Sequence, residues 1–323
     1  MSTFEFRRCG VAFLPKGFEP ATAHPEKKEP FYGSIVRVVR LMLRAQGIKV
    51  YVEGAERVPA SGGALLAFNH TGYFDFILGG VPAWANAKRL VRFMAKREIF
   101  DIPLVGSAMR KMHHISVDRA AGAQSLDDAV ASLTAGNLVG IFPEATISRS
   151  FEIKELKSGA ARIAYNADVP LIPVVIWGSQ RIWTKDLPKN LVRPKVPVWI
   201  RVGEPLQLTG DADVDTAALK TQLTELLAQL RKDYSAKFGP ISPGQPWMPE
   251  SMGGNAPSPK RAALLALEEQ ERRQVARERK REKKLRRLDL RADRKAMDVL
   301  RSRGWFGRMK ARIAAAIEER RGH

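Results

Sequence analysis

The stretch ALLAFNHTGYFDF, residues 64–76, decides how the chain is read. Five apolar residues in unbroken succession, Ala64 to Phe68, fit a strand buried on both faces. Polar residues follow at once, and a helix is expected from Phe74 to Gly80. Polar side chains just beyond a strand end are well placed for a site in an open α/β sheet.

The same alternation recurs outward from this stretch. Strand-like runs lie at Ile48–Val52, Arg92–Ala95, Leu138–Phe142, Leu171–Trp177 and Val196–Val202. Helical patterns separate them at Ser125–Leu133 and Gly159–Asn166. A further helix is expected at Thr216–Tyr234, with Leu219, Leu223, Leu226, Leu227 and Leu230 on one face. Before the first strand, Phe31–Ala45 reads as a basic amphipathic helix: Ile35, Val38, Val39 and Met42 share one side, and Arg37, Arg40 and Arg44 point elsewhere. Such a helix packs on a core or lies in a lipid interface. Together the pattern predicts an α/β fold, a mixed or largely parallel sheet covered by helices.

Composition bounds the rest. The 323 residues suffice for about two domains. The single cysteine, Cys9, rules out a disulfide framework and an all-cysteine metal site. Lys plus Arg number 54 against 34 Asp plus Glu, a net charge of +20 that calls for an anionic partner: nucleic acid, an anionic membrane or an anionic small molecule. No apolar run is long enough to predict a spanning helix. Glu5 precedes any basic residue and no long apolar core follows, so the N-terminus does not read as a signal peptide, and the chain is expected on the cytoplasmic side.

Charge and punctuation divide the chain into residues 1–30, an N-terminal segment; 31–240, the α/β domain with its leading helix; 241–260, a linker rich in Pro, Gly and Ser; and 261–323, a basic helical tail. Residues 260–323 hold +12 of the +20. Within the tail, Trp305, Phe306, Met309, Ile313 and Ile317 form an apolar stripe among basic residues, and Gly304 is expected to separate it from the helix before it.

Two islands carry the chemistry. His70 is followed five residues on by Asp75, and a loop with one helical turn would return that carboxylate to the ring. A carboxylate on Nδ1–H fixes the tautomer, leaves Nε2 as a base and stabilises the imidazolium. A packing or turn role is the competing reading. No nucleophile accompanies the pair: Cys9 is remote and no Gly-x-Ser-x-Gly elbow occurs. The chemistry therefore reads as direct attack by a substrate hydroxyl. The second island is GIFPEATISRS, residues 140–150. Its Thr146, Ser148 and Arg149 would hold a phosphate, or form a surface loop. Arg119 is a third candidate ligand. His24, His113, His114 and His323 are expected to be solvated or structural, and no set of residues has metal-ligand spacing.

Taken together the islands resemble the glycerophospholipid acyltransferases related to bacterial 1-acylglycerol-3-phosphate acyltransferase. The Asn-His-x-x-x-x-Asp block stands here as NHTGYFD, residues 69–75. The second block ends on Arg119, the Phe-Pro-Glu-Gly-Thr-Arg-Ser block as FPEATIS, residues 142–148, and the Val-Pro-x-x-Pro block as VPLIPV, residues 169–174. The resemblance spans roughly residues 31–234. It implies an O-acyltransferase with catalytic His70 and Asp75 and with Arg119, Glu144, Thr146, Ser148 and Arg149 toward the acceptor, Glu144 ordering the loop or an acceptor hydroxyl. It implies no tightly bound cofactor and no metal: the donor is an acyl thioester of coenzyme A or acyl carrier protein, and the acceptor is a lysolipid such as 1-acyl-sn-glycerol-3-phosphate. Partners would be an anionic membrane surface and, for the donor, acyl carrier protein, with the protein peripheral on the cytoplasmic face of the cell membrane.

Two departures stand out. Ala145 replaces the family glycine, which suggests a backbone with no need of positive φ there. Ile147 replaces the family arginine, and Arg149, on the same face of an extended strand, is the expected substitute. This opens the acceptor to glycerol 3-phosphate, another lysophospholipid or a glycolipid. A nucleic-acid-binding reading of the tail run Lys280–Lys295 is disfavoured because aromatics are not interleaved with the charges. A non-catalytic lipid-binding scaffold would not need the His70–Asp75 pair.

Overall fold

A computed structural model describes residues 5–9, 12–118 and 122–321. Among these, nine strands form one mixed sheet in the order β1-β2-β3-β9-β8-β4-β7-β5-β6. The centre is β4 (Ala64–Phe68), which pairs in parallel with β8 (Leu171–Trp177) on one side and β7 (Leu138–Ile141) on the other. Beyond β7 lie β5 (Val91–Lys96) and β6 (Ile115–Val117), both parallel. On the other flank β9 (Pro197–Val202) runs antiparallel to β8 and parallel to β3 (Lys49–Glu53). The hairpin of β1 (Phe6–Cys9) and β2 (Ala12–Pro15) completes that edge.

The continuous apolar runs of β4 and β8 have the physical cause expected of them. Ala64, Leu66 and Phe68 enter the core on one face together with Ile172, Val174 and Ile176. Leu65 and Ala67 enter the core on the other face with Leu171, Val175 and Trp177. A strand covered on both sides has no solvent face to pattern. Each large side chain so buried stabilises the fold by about 1.5–3 kcal/mol. The first face is covered by α1 (Pro30–Ala45), through Val39, Met42 and Leu43, and by α3 (Val81–Ala87). The second is covered by α6 (Gly122–Thr134), α7 (Gly159–Asn166) and α8 (Ala212–Phe238). The leucine stripe of α8 is the one expected: Leu219, Leu223, Leu227 and Leu230 are buried, and Asp211 caps the helix by accepting from the amides of Asp213 and Val214.

Two expectations need correction. The segment expected as a linker packs on the second core through Ile241, Trp247, Met252 and Ala256, and Met248 is 2% exposed. Arg181 lies 4.6 Å over the Trp247 ring, and the Gly244 amide donates to the Gly253 carbonyl. Apolar side chains spaced among prolines and glycines bury well without regular structure, so composition misled. The compact unit accordingly runs to Ala262, and residues 263–323 form a second unit. Nor does Gly304 interrupt the tail, since α9 (Pro259–Arg321) continues through it. One internal glycine costs about 1 kcal/mol relative to alanine, which the surrounding Ala, Leu, Glu and Arg residues offset. No helix among the described residues is long and apolar enough to cross a membrane.

Candidate active site

β4 delivers the chain to the edge of the sheet where β4, β5, β7 and β8 all end. Asn69 extends the strand by one residue: its Oδ1 accepts from the Ile176 amide at 2.7 Å and its Nδ2 donates to the Ile176 carbonyl at 3.1 Å. The chain then leaves the sheet at His70, turns through Thr71 and Gly72, and enters α2 (Asp75–Leu78). A side chain on Gly72 would place its Cβ 2.9 Å from the Trp183 carbonyl oxygen, so the turn needs glycine for its close approach.

Asp75 is fully buried and turned back into this loop. Its Oδ2 lies 3.1 Å from His70 Nδ1 and accepts from the amides of Thr71 at 2.7 Å and Gly72 at 2.8 Å. Its Oδ1 accepts from the Ser179 hydroxyl, which also touches Thr71 Oγ1 at 3.2 Å. Thr184 Oγ1 donates to the Thr71 carbonyl at 2.6 Å. The carboxylate therefore organises the loop and the ring together, and the return expected from the spacing is the geometry found. The His70 side chain is 19% exposed, and its Nε2 has no hydrogen-bond partner among the described residues. The Phe142 ring packs against the imidazole, its centroid 4.3 Å away and its plane tilted by 31°. A ring held by its Nδ1 with Nε2 toward solvent can accept a proton from a bound hydroxyl.

The loop after β7 is stitched to the same residue. Glu144 Oε1 accepts from the His70 amide at 2.8 Å, and the Ser148 amide donates to the His70 carbonyl at 2.8 Å. The other Glu144 oxygen accepts from the Lys154 amide at 3.2 Å. Burial pushes the Glu144 carboxyl up to about 7, against the pull of the His70 and Lys154 donors. Of the two roles expected for Glu144, this geometry supplies the ordering of the loop.

Several expectations for this loop are overturned. Ala145 adopts φ +60, the left-handed region that its replacement of glycine argued against. The amide of Ala145 donates to the Phe142 carbonyl and that of Thr146 to the Glu144 carbonyl, and these bonds hold the turn despite the Cβ. Residues 143–150 form turns and bends rather than a strand, so the shared-face argument for Arg149 fails. Its Nε donates to Asp186, and the side chain is 9% exposed. Ile147 is buried. Ser148, expected toward a ligand, is fully buried and donates its hydroxyl to the Glu152 carbonyl at 2.7 Å. Thr146 remains partly exposed with its hydroxyl 2.7 Å from Lys154 Nζ. Arg119 lies outside the described residues.

Two residues here carry no signal in the linear sequence: Ser179, which reaches Asp75 from beyond β8, and Lys154, whose ammonium lies at Thr146 Oγ1 and the Glu144 carbonyl. His113 is exposed. His114 is buried, accepts from the Phe93 amide at 2.9 Å and is pushed down to about 3 by burial and by Arg92, a structural neutral imidazole. Among the described residues no group of three His, Cys, Asp or Glu side chains could hold a metal ion.

Comparison with known proteins follows the same residues. The sequence model of the family described as Acyltransferase matches residues 49–177. A 1-acyl-sn-glycerol-3-phosphate acyltransferase of Bacillus subtilis is 33% identical over 64% of this chain and 97% of its own length. A protein of that name from Limnanthes douglasii is 31% identical over 57% of this chain and 63% of its own. The crystal structure of the 1-acyl-sn-glycerophosphate acyltransferase PlsC from Thermotoga maritima aligns with a TM-score of 0.45 and 22% identity, covering 62% of this chain and 91% of that one. On its 33% identity along nearly the whole of the Bacillus subtilis protein, the chain belongs to the acyltransferase family.

Proposed function

We propose that this acyltransferase moves a fatty acyl group from a thioester of coenzyme A or acyl carrier protein to the free hydroxyl of 1-acyl-sn-glycerol-3-phosphate, giving phosphatidic acid, at the cytoplasmic face of the cell membrane. The observation that carries the reading is the buried Asp75 carboxylate on His70 Nδ1, with no serine or cysteine side chain hydrogen-bonded to the ring among the described residues. His70 Nε2 removes the acceptor proton as the hydroxyl oxygen attacks the thioester carbonyl. The C–S bond then breaks, and the thiolate leaves with the proton returned by the imidazolium. Asp75 acts through the ring, by holding its tautomer and stabilising its positive charge. Lys154 beside Thr146, with Arg119, would meet the acceptor phosphate; Lys154 is a flexible point charge that suits this task. The chain's basic surplus and the outer face of α1, where Val38 and Leu41 are exposed beside Arg37 and Arg44, support work on an anionic bilayer.

The test is thiol release from palmitoyl-coenzyme A in mixed anionic micelles, with and without 1-acyl-sn-glycerol-3-phosphate, for the native chain and His70→Ala. Acceptor-dependent release that the variant loses is expected. Release that survives the substitution would remove His70 as the base. A second reading, the same transfer to a different acceptor, is favoured by Ile147, which offers no donor where the related block carries arginine. It would show as release only with another lysolipid, with glycerol 3-phosphate or with a glycolipid acceptor.

A further inference from the structure

The turn that follows β5 is built unlike the rest of the unit's surface. It comprises α4 (Arg97–Phe100), residues 101–104 and α5 (Val105–Lys111). Ile99, Ile102, Leu104 and Val105 are 36%, 49%, 86% and 45% exposed, four large apolar side chains within seven residues. Soluble surfaces scatter such residues singly; a contiguous group marks a binding face. Leu104 also sits at φ +66 and ψ −53, a strained γ-turn closed by the Val105 amide on the Pro103 carbonyl at 2.8 Å.

The turn is rigid in this form. The Gly106 amide donates to the Ile102 carbonyl at 2.8 Å and the Ala108 amide to the Leu104 carbonyl at 2.9 Å. Arg110 Nη1 donates to the Phe100 carbonyl at 2.9 Å. A Cβ on Gly106 would come within 1.9 Å of that same carbonyl oxygen, so only glycine lets the two short helices close. Phe100, Met109 and Met112 pack inward against Tyr32, Ile35 and Phe76. The outward apolar residues are therefore not core residues awaiting cover by their own helices. They are held out by a scaffold whose inner side is satisfied.

Its position matters as much. β5 runs parallel to β7, and β7 to β4, so the turn emerges at the edge that carries His70. Two strand spacings, about 10 Å, separate β5 from β4. Phe76, which follows Asp75 in α2, packs on the Phe100 cluster. Residues 96–111 carry Lys96, Arg97, Arg110 and Lys111 against Glu98 and Asp101, a net charge of +2. An apolar tip with a cationic surround complements an anionic leaflet: the tip reaches the acyl boundary and the cations remain at the headgroups.

We infer that residues 99–105 are a bilayer-inserting lip of the active site, with Ile102, Leu104 and Val105 entering an anionic leaflet so that lipid substrates reach His70 without crossing water. This rests on the lipid acyltransferase reading above and adds to it the segment through which the substrate arrives.

The test uses the full chain. Leu104→Asn and the pair Ile102→Asn with Leu104→Asn replace exposed side chains and keep a Cβ at the same strained turn, so the backbone strain of the native chain is carried over unchanged. Flotation with vesicles of equal phosphatidylglycerol and phosphatidylcholine is expected to fall roughly tenfold for the pair, from the apolar area withdrawn from lipid. Tm is expected to stay or rise. For depth, Leu104→Cys and Val214→Cys are made in a Cys9→Ser background and labelled with an environment-sensitive nitrobenzoxadiazole dye. Val214, exposed at the start of α8, lies at the opposite sheet edge. Emission should rise on vesicle addition at position 104 and be quenched by nitroxide lipid, with no change at 214. An unchanged, unquenched signal at 104 overturns the lip, as does association of the protein into dimers through this face without vesicle binding. Transfer between butanoyl-coenzyme A and a short-chain lysophosphatidate below its micellar concentration should be the same in the pair variant and the native chain. Failure of the native chain in that soluble assay with every acceptor sinks the functional reading, while the dye still decides the lip.

Discussion

The loop after β4 and the loop after β7 reach the same edge of the sheet and hold each other by two hydrogen bonds at His70, yet they use their polar atoms differently. In the first, Thr71, Gly72 and Asp75 are committed, with Ser179 from beyond β8, to one another and to Nδ1, and Nε2 alone is left without a hydrogen-bond partner among the described residues. In the second, Glu144 and Ser148 direct their side chains at backbone amides and carbonyls, and Arg149 reaches an aspartate. One loop leaves a ring nitrogen unpaired; the other is the frame that keeps the ring's residue in place. Motif membership alone does not separate the two roles, whereas the direction of each hydrogen bond does.

The sharpest way to break this contrast is His70→Ala. The rate of acyl transfer should fall about 10³-fold, the range of a lost general base, with Tm within a few degrees. Asp75→Asn should do both kinds of harm. A fall of about 10²-fold in rate is expected from loss of ring orientation, together with about 2 kcal/mol of stability, because an amide NH₂ would face donors that the carboxylate accepts. Urea denaturation alongside kinetics checks both, and a purely kinetic defect would show that the carboxylate is not the loop's organiser. Glu144 sharpens the contrast through pH. Its folded carboxyl is raised to about 7, so the stability it favours is present below the ordinary glutamate range and is lost as pH rises through about 7. Relative to Glu144→Gln, the native chain should lose about 2 kcal/mol between pH 5 and pH 8. A gap that stays constant with pH would contradict the shift.

Smaller effects separate frame from site. Ser148→Ala should cost about 1 kcal/mol by leaving the Glu152 carbonyl unpaired, with an unchanged acceptor KM. A raised KM would return Ser148 to the phosphate site. Ala145→Gly should stabilise the protein by up to about 1 kcal/mol, since the left-handed turn then carries no Cβ. A loss of stability would mean that the alanine methyl packs to advantage.

What the sequence made legible follows from how local each cause is. β4 and β8 could be read because burial on both faces leaves an unbroken apolar run. β6, three residues long, and the four-residue strands β1 and β2 could not, since their pairing comes from neighbours rather than from pattern. The His70–Asp75 contact closes within one loop and was readable from spacing. Ala145 misled because alanine's preference against positive φ is weaker than the hydrogen bonds on either side of it. Arg149 misled because the strand ends at Ile141 and the two-residue period ends with it. Lys154 and Ser179 reach the site only through the tertiary fold, and the packed segment 241–258 looked like a linker because prolines and glycines hide a well-spaced set of apolar anchors.

The clasp between Asn69 and Ile176, and the bond from Ser179 to Asp75, tie together parts of the chain that are synthesised more than a hundred residues apart. Contacts of such long range form late, after the loop between them has closed. An unfinished chain therefore holds Asp75 only by the local bonds of its own loop to His70, Thr71 and Gly72, without the Ser179 hydroxyl on the other carboxylate oxygen. The full set of bonds that brace the histidine and its carboxylate arrives together with the central sheet, so the loop is completely fastened only when that sheet is complete.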